Sequence, residues 1–151
     1  MVILLILPRG HHTDVWLCFL SCNGLSIQLE DDKYGALCNR LYGVSKGIAA
    51  AGVIVDEEHL VYKTNESFQL PEDRDRLRHM LKQSYIMINE PSTNEDFFGK
   101  VRYVMIHHET YDVFLFKITS DPLKILGIVA KPREYDHTEL VEAITYELLS
   151  L

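Results

Sequence analysis

The chain has 151 residues, a hydrophobic fraction of 47% and a formal net charge of −7 at pH 7. That size and composition are typical of one globular domain with room for an extension, and they argue against a disordered chain. The acidic balance repels phosphate backbones and anionic lipid headgroups, so neither a nucleic acid nor a membrane is an expected partner. Cys18, Cys22 and Cys38 form no dense disulfide framework. We therefore expect buried thiols and a reducing, cytoplasmic location.

Residues 1–30 differ in character from the rest of the chain. An apolar run at 1–7 is too short to span a bilayer, and Pro8 separates it from a second apolar run at 15–20. No basic region precedes it and no persuasive cleavage site follows, so we do not predict a secretory signal. Three interpretations remain open: an added β-hairpin, an unstructured extension, or upstream sequence included by a wrongly chosen start codon. We predict an N-terminal extension of uncertain structure over 1–30 and one domain over 31–151.

The domain begins with a predicted helix and a pair of strands. Asp31 and Asp32 can cap a helix by accepting backbone N–H bonds, and Gly43 is suited to end it. The apolar residues between them share one helical face: Tyr34, Leu37, Cys38 and Leu41. The runs 48–55 and 59–64 are rich in apolar residues and flank a polar turn, which predicts a hairpin. Small residues in the first strand admit close packing of a helix.

A middle helix follows, with Pro71 in its first turn and acidic residues at its positive end. Its apolar stripe is the clearest in the chain: Leu77, Met80, Leu81, Tyr85 and Ile88. Ile86 lies off that stripe on the polar side, and residues 91–93 end the helix.

Three strands and a last helix complete the predicted order. The strands are predicted at 101–106, 111–118 and 124–130, and the second is apolar on both faces, which predicts a central position in the sheet. Asp136 begins the final helix, with Glu139 as its capping-box partner. The helix buries a stripe of apolar residues: Leu140, Ala143, Ile144, Leu148 and Leu151. The order α-β-β-α-β-β-β-α indicates a single α+β domain.

No residue pattern assigns a catalytic, metal or cofactor site. His107, His108 and Glu109 include metal-ligand types, but neighbouring strand residues point to opposite faces, so we interpret them as a hairpin tip. Four further ligand-type residues lack a usual zinc spacing: His11, His12, Cys18 and Cys22. The chain has no G-x-S-x-G nucleophile motif and no glycine-rich phosphate loop. We therefore predict no catalytic residue, no metal and no cofactor.

Two segments carry a family resemblance. Residues 51–56 followed by 60–62 look like the first hairpin of the roadblock fold, which is named for dynein light chains and shared by regulators of small GTPases. The run Phe97-Phe98-Gly99-Lys100-Val101-Arg102-Tyr103 before the strand 111–118 resembles small archaeal members. The resemblance covers 31–151. It departs from the family at the first hairpin turn, which reads Asp-Glu-Glu-His and not the frequent Asp-Gly type.

The resemblance implies a profilin-like, five-stranded antiparallel sheet flanked by helices. It also implies a homodimer formed by the middle helix, about 72–89, and the edge strand, about 101–106, with a small GTPase as a further partner. The implied dimer-interface residues are Leu77, Met80, Lys82, Ile86, Val101, Tyr103 and Met105. The residues themselves agree in one respect, because an edge strand with few charges invites pairing with a second chain.

Two alternatives to a non-catalytic interaction module remain open. PAS and GAF sensors share much of the same element order, and such a sensor would have a pocket between sheet and helix. The aromatic residues that could line it are Tyr103, Tyr111, Phe114 and Phe116. An enzyme with an unrecognised site would use His107 or His108.

Overall fold

The computed structural model describes the backbone of residues 22–151 and the side chains of residues 29–151. Helix α1 (Cys22–Tyr42) precedes strands β1 (Ile48–Ile54) and β2 (Leu60–Thr64), and helix α2 (Arg74–Asn89) follows. A 3₁₀ turn (Pro91–Asn94) and the short helix α3 (Glu95–Phe98) lead into strand β3 (Tyr103–His107). Strands β4 (Asp112–Ser120) and β5 (Leu123–Ala130) and helix α4 (His137–Leu149) complete the chain.

The strands form one five-stranded antiparallel sheet in the order β2-β1-β5-β4-β3. This confirms the predicted α+β class and the predicted order of helices and strands. The central position predicted for β4 is also confirmed, because it pairs with β3 on one side and β5 on the other. Strands β2 and β3 form the two edges.

Helices cover the two faces of the sheet unequally. Helices α1 and α4 pack on one face, over a core that includes Phe114 and Phe116 of β4. Helix α2 packs on the other face, over Leu115 and Ile125. The alternation along β4 divides its apolar residues between the two cores, as the period-two pattern of the sequence predicts. No helix among the described residues is long and apolar enough to cross a bilayer.

Helix α1 begins earlier than predicted. Asp31 and Asp32 lie inside it, so the prediction that they cap its start is wrong. The side chain of Glu30 is held by Lys124 of β5, with Nζ 2.6 Å from Oε1. This contact joins residues far apart in the chain, which is why a local capping pattern misplaces the start of the helix. Predictions about residues 1–21, and about the side chain of Cys22, lie outside the described residues.

The ends of α2 and β3 also differ from the prediction. Helix α2 begins after Asp73, whose side chain accepts a hydrogen bond from the Asp75 amide at 2.9 Å, so Pro71 precedes the helix. Strand β3 begins at Tyr103, which leaves Val101 outside the strand. The Val101 amide donates to Glu95 Oε1 at 3.2 Å, and this bond takes the place of a strand pairing. The predicted start of α4 is confirmed, because Asp136 accepts from the Glu139 amide.

Candidate interaction surface

Strand β3 presents an unpaired backbone edge. Within residues 22–151 it pairs only with β4, through Tyr103–Phe116 to His107–Asp112. Met105 lies at the middle of this edge, and 39% of its surface is exposed. An exposed edge strand offers its outer N–H and C=O groups to any extended segment that can pair with it.

Helix α2 places one apolar residue on its outer side. Ile86 is 59% exposed, whereas Leu81 and Ile88 are buried against the sheet, which confirms the predicted stripe and the off-stripe position of Ile86. Lys82 is exposed, and its Nζ lies 3.1 Å from Glu57 Oε2. The outer side of α2 is therefore polar apart from Ile86.

The predicted dimer-interface residues fall into four positions. Leu77 and Met80 are half-buried against the α2 core, and Val101 lies in the loop before β3. Lys82 and Ile86 lie on α2, above one face of the sheet. Tyr103 and Met105 belong to the opposite face, where the Tyr103 ring stacks on Phe116 with centroids 5.3 Å apart. Both faces of the sheet end at the β3 edge. The assignment of these seven residues to a dimer interface remains a prediction.

An apolar cleft lies beside α2, over the part of the sheet that the helix leaves uncovered. Its volume is about 630 Å³. Two paired glycines, Gly52 of β1 and Gly127 of β5, lie in its floor. The floor is low at Gly127, where a Cβ would meet nothing closer than 3.8 Å, whereas the side chains of Leu60 and Tyr62 come within 3.2 Å of that position on Gly52. Small residues were predicted to admit a closely packed helix, and Ala51 does face the α1 core, whereas Ala50 and Gly52 line the cleft.

The walls of the cleft come from α2, from the β3–β4 hairpin, and from β2 with the loop that follows it, which includes Phe68. The α2 residues that line it share one side of the helix: Met80, Gln83, Ser84 and Met87. Ile106 and the turn at 108–111 form the wall at the β3 edge. The position of this cleft depends on where α2 crosses the sheet, which the sequence does not reveal. A pocket between sheet and helix was expected only under the sensor alternative, and of the residues named for it Tyr111 lines the cleft.

Two phenylalanines project from the segment between α2 and β3. Phe97 and Phe98 are 81% and 80% exposed, and their rings meet edge to face with centroids 4.7 Å apart. Glu95 holds the segment in place through its bond to the Val101 amide and an ion pair with Lys117 at 3.7 Å. The hydrogen bond from the Val101 amide, assisted by Lys117, lowers the pKa of Glu95. Gly99 has φ of 84°, a conformation that favours glycine.

A buried carboxylate lies at the other end of the β3–β4 hairpin. Asp112 accepts a hydrogen bond from the Tyr135 hydroxyl, and its second oxygen lies 2.5 Å from His107 Nδ1. Burial alone raises the pKa of Asp112, but these two bonds outweigh it and hold the pKa below its usual value. Burial and the bond to Asp112 raise the pKa of Tyr135. Both carboxylate oxygens of Asp112 are therefore hydrogen-bonded, and the bond from Tyr135 joins the loop before α4 to the sheet.

Three observations bear on the sensor and enzyme alternatives that the sequence left open. His107 contacts Asp112, whereas His108 lines the cleft, so the two adjacent histidines point to different sides. Among the described residues, no group of three or more His, Cys, Asp and Glu side chains is arranged to hold a metal. Of the four aromatic residues considered for a sensor pocket, Tyr111 lines the cleft; the other three pack on the opposite face: Tyr103, Phe114 and Phe116.

Comparison with known proteins identifies the fold. No protein-family model matches the chain, and no curated protein matches it. A Roadblock/LC7 domain from Streptomyces avermitilis superposes with a TM-score of 0.58 at 18% identity, over 77% of this chain and 92% of that one. MglB from Myxococcus xanthus gives 0.56 at 13% identity, over 80% and 85%. The gliding protein MglB from Thermus thermophilus gives 0.55 at 8% identity, over 80% and 91%.

These similarities, together with the sheet order, show that the chain has the roadblock fold. The resemblance drawn from the sequence is thereby confirmed at the level of fold. The identities are low, so the fold is what the comparisons establish.

Proposed function

We propose that this protein is a non-catalytic interaction module that assembles as a homodimer through the β3 edge and the outer side of α2. The observation that carries the proposal is the open edge of β3, with Met105 exposed along it and Ile86 exposed on α2, the helix that contacts β3. Two copies related by a two-fold axis would pair their β3 strands antiparallel and join two sheets into one. Each copy would then cover the edge of the other.

The resulting contact has the composition of a protein interface. The side chains nearest the edge are apolar, and the strand itself, with the sequence YVMIH, carries no carboxylate or lysine. Interface cores are depleted in charge and enriched in methionine and aromatic residues. The edge strand also supplies directional backbone hydrogen bonds, which set the orientation of the second copy.

The experiment is a measurement of mass in solution on the full chain, by size-exclusion chromatography with light scattering. We expect the wild type to have twice the monomer mass of 17.4 kDa at tens of micromolar. Met105→Glu and Ile86→Glu place a carboxylate in the contact. Each should raise the dimer dissociation constant about tenfold or more, because an unpaired buried charge costs well over 1.4 kcal/mol.

Tyr146→Glu is the matched control. Tyr146 is 74% exposed on α4, nine residues beyond His137, where that helix contacts Tyr103 of β3, so the same charge there should leave the dimer mass unchanged. A monomeric wild type, or a Met105→Glu variant that dimerises as well as wild type, would overturn the proposal.

The partner class and the compartment are proposals too. A small GTPase is the partner class implied by the resemblance, and it is the first class we would titrate against the dimer. A non-catalytic role follows the same resemblance. We propose the cytoplasm as the location. The free thiol of Cys38 supports a reducing compartment; it is buried, and burial raises its pKa to about 11.

A further inference from the structure

Two apolar features of the described chain lie next to the same edge. The cleft beside α2 extends to β3, where Ile106 and the 108–111 turn form its wall. Phe97 and Phe98 project from the segment that leads into β3. Exposed aromatic pairs are uncommon on a monomer surface, and they mark interaction sites when an apolar cavity lies within reach.

One copy cannot place its own phenylalanines in its own cleft. The ion pair of Glu95 with Lys117 holds their segment beside the open end of the β3–β4 hairpin. The cleft wall lies at the closed end, at the 108–111 turn. The length of β3 separates the two ends, a distance of roughly 13 Å for four steps along a strand.

A two-fold axis at the β3 edge removes that separation. In an antiparallel pair of identical strands, the start of each strand lies beside the end of the other. With Met105 near the axis, position 101 of one copy lies next to position 109 of the other. The segment carrying Phe97 and Phe98 then reaches the mouth of the partner's cleft.

We propose that Phe97 and Phe98 of each copy insert into the apolar cleft of the other copy, so that the β3 dimer is closed by two reciprocal aromatic contacts. This inference rests on the proposed homodimer and adds the occupant of the cleft. Gly127 leaves room over the floor, since a Cβ there would meet nothing closer than 3.8 Å, and the methionines of α2 provide an adaptable wall.

Charge agrees with this arrangement. Lys100 and Arg102 follow the aromatic pair, and the turn that they would approach contains Glu109. Opposite charges on facing rims favour the antiparallel register over others, since a parallel arrangement would bring the two basic segments together.

The surface area that the dimer would bury also supports this arrangement. A contact of two five-residue strands is small beside the roughly 1,600 Å² that a standard stable interface buries. Each phenylalanine can bury about 150–250 Å². Because the symmetry places four rings in two clefts, the aromatic contacts would supply a large part of the area that the strands alone lack.

Disulfide trapping between two different variants tests the contact directly. A Phe98→Cys chain is mixed with a Thr110→Cys chain and oxidised, and the cross-linked product is quantified by non-reducing electrophoresis and mass spectrometry. We expect the mixed pair to form several-fold more cross-linked heterodimer than Phe98→Cys mixed with Tyr146→Cys. Wild-type chains, which contain the three native cysteines, give the background.

The outcomes separate this inference from the dimer itself. Dimer mass with cross-linking no greater than the Tyr146→Cys control would overturn the cleft contact while leaving the homodimer standing. A monomeric mass for wild type would overturn both.

A second measurement uses the apolar dye ANS with the variant Phe97→Ser/Phe98→Ser. If the rings fill the clefts, their removal opens two apolar cavities and dye fluorescence rises above that of wild type. If the rings are merely exposed, their removal takes apolar surface away and fluorescence falls or stays equal, which would contradict the inference.

Discussion

Asp112 differs from the other carboxylates of the described chain by its burial and its two hydrogen-bonding partners. It is 3% exposed and bonded to both Tyr135 and His107. Its pKa in the folded protein lies below the value of about 3.9 expected in an unfolded chain. The charged form therefore contributes stability that is present above the unfolded pKa and is lost as the pH falls through the folded pKa.

Replacement of Asp112 by Asn should lower the free energy of unfolding at pH 7 by about 1–3 kcal/mol, because the buried carboxylate loses its charge-assisted bonds to Tyr135 and to the exposed His107. The difference from wild type should begin to shrink as the pH falls below about 4, where the carboxyl of the unfolded wild-type chain takes up a proton, and should go on shrinking through the lower pKa of the folded protein. Denaturant unfolding at pH 7 and at pH 3 measures both effects. Asp32→Asn, at an exposed carboxylate, is the control and should change little. If the two free energies of unfolding differ by the same amount at pH 7 and at pH 3, the result would contradict a lowered pKa for Asp112.

Two glycines differ sharply in the room around them. A Cβ on Gly47 would lie 2.7 Å from the backbone oxygen of Glu134, whereas a Cβ on Gly127 meets nothing closer than 3.8 Å. Gly47→Ala should therefore destabilise the fold by about 1–3 kcal/mol, since backbone must move to admit it. Gly127→Ala should unfold close to the wild-type midpoint, as denaturant unfolding of both variants would measure. Equal midpoints for the two variants would show that the 47–134 contact is loose.

At the scale of elements, α1 shows what the sequence could and could not predict. Its buried face was predicted correctly, with Tyr34, Leu37 and Leu41 in the core. Its start was not, because residues 31–32 satisfy a capping pattern while the helix begins at residue 22. Glu30 holds this earlier part to Lys124 in β5. Burial lowers the pKa of Lys124, but the contacts with Glu30 and Tyr34 outweigh burial and raise it. Local propensity contains no information about such a distant partner.

The same contact gives a prediction for two shortened chains. A chain that begins at residue 31 lacks Glu30 and the first turns of α1, which leaves Lys124 buried without its carboxylate. We expect it to unfold at a lower temperature than a chain that begins at residue 22. The free energy of unfolding should be lower by about 1–3 kcal/mol. Calorimetry of both chains measures the difference. Glu30→Gln in the longer chain should reproduce a large part of it. Identical midpoints would contradict a structural role for residues 22–30.

Strands were easier to predict than their connections. The two-residue period of β4 correctly divided Phe114 and Phe116 from Leu115. Val101 was wrongly included in β3, since its apolar side chain fits a strand while its amide bonds to Glu95. A side-chain acceptor six residues away cannot be recognised from a hydrophobic pattern. The boundaries between strands, helices and loops are therefore the part of this fold that could not be predicted from the sequence.

At the scale of the whole molecule, the roadblock fold leaves β3 open and α2 covering only part of its face. The element order and the edge position of β3 follow from the sequence through the resemblance. The cleft does not, because it arises from the crossing of α2 over a sheet whose floor contains Gly52 and Gly127. The proposed dimer uses both features: the edge joins two sheets, and the cleft receives the aromatic pair of the other copy.

Hydrogen exchange of the β3 backbone tests the proposed dimer most directly, because it reports on the edge itself. Half of the β3 amides point away from β4 and remain open to water in a monomer. We predict that, at tens of micromolar, exchange in Tyr103–His107 is slow in wild type and in Tyr146→Glu, and becomes fast for the outward amides in Met105→Glu. The mass of the wild type is measured at the same concentration. Fast exchange of those amides in the wild type would contradict pairing at this edge.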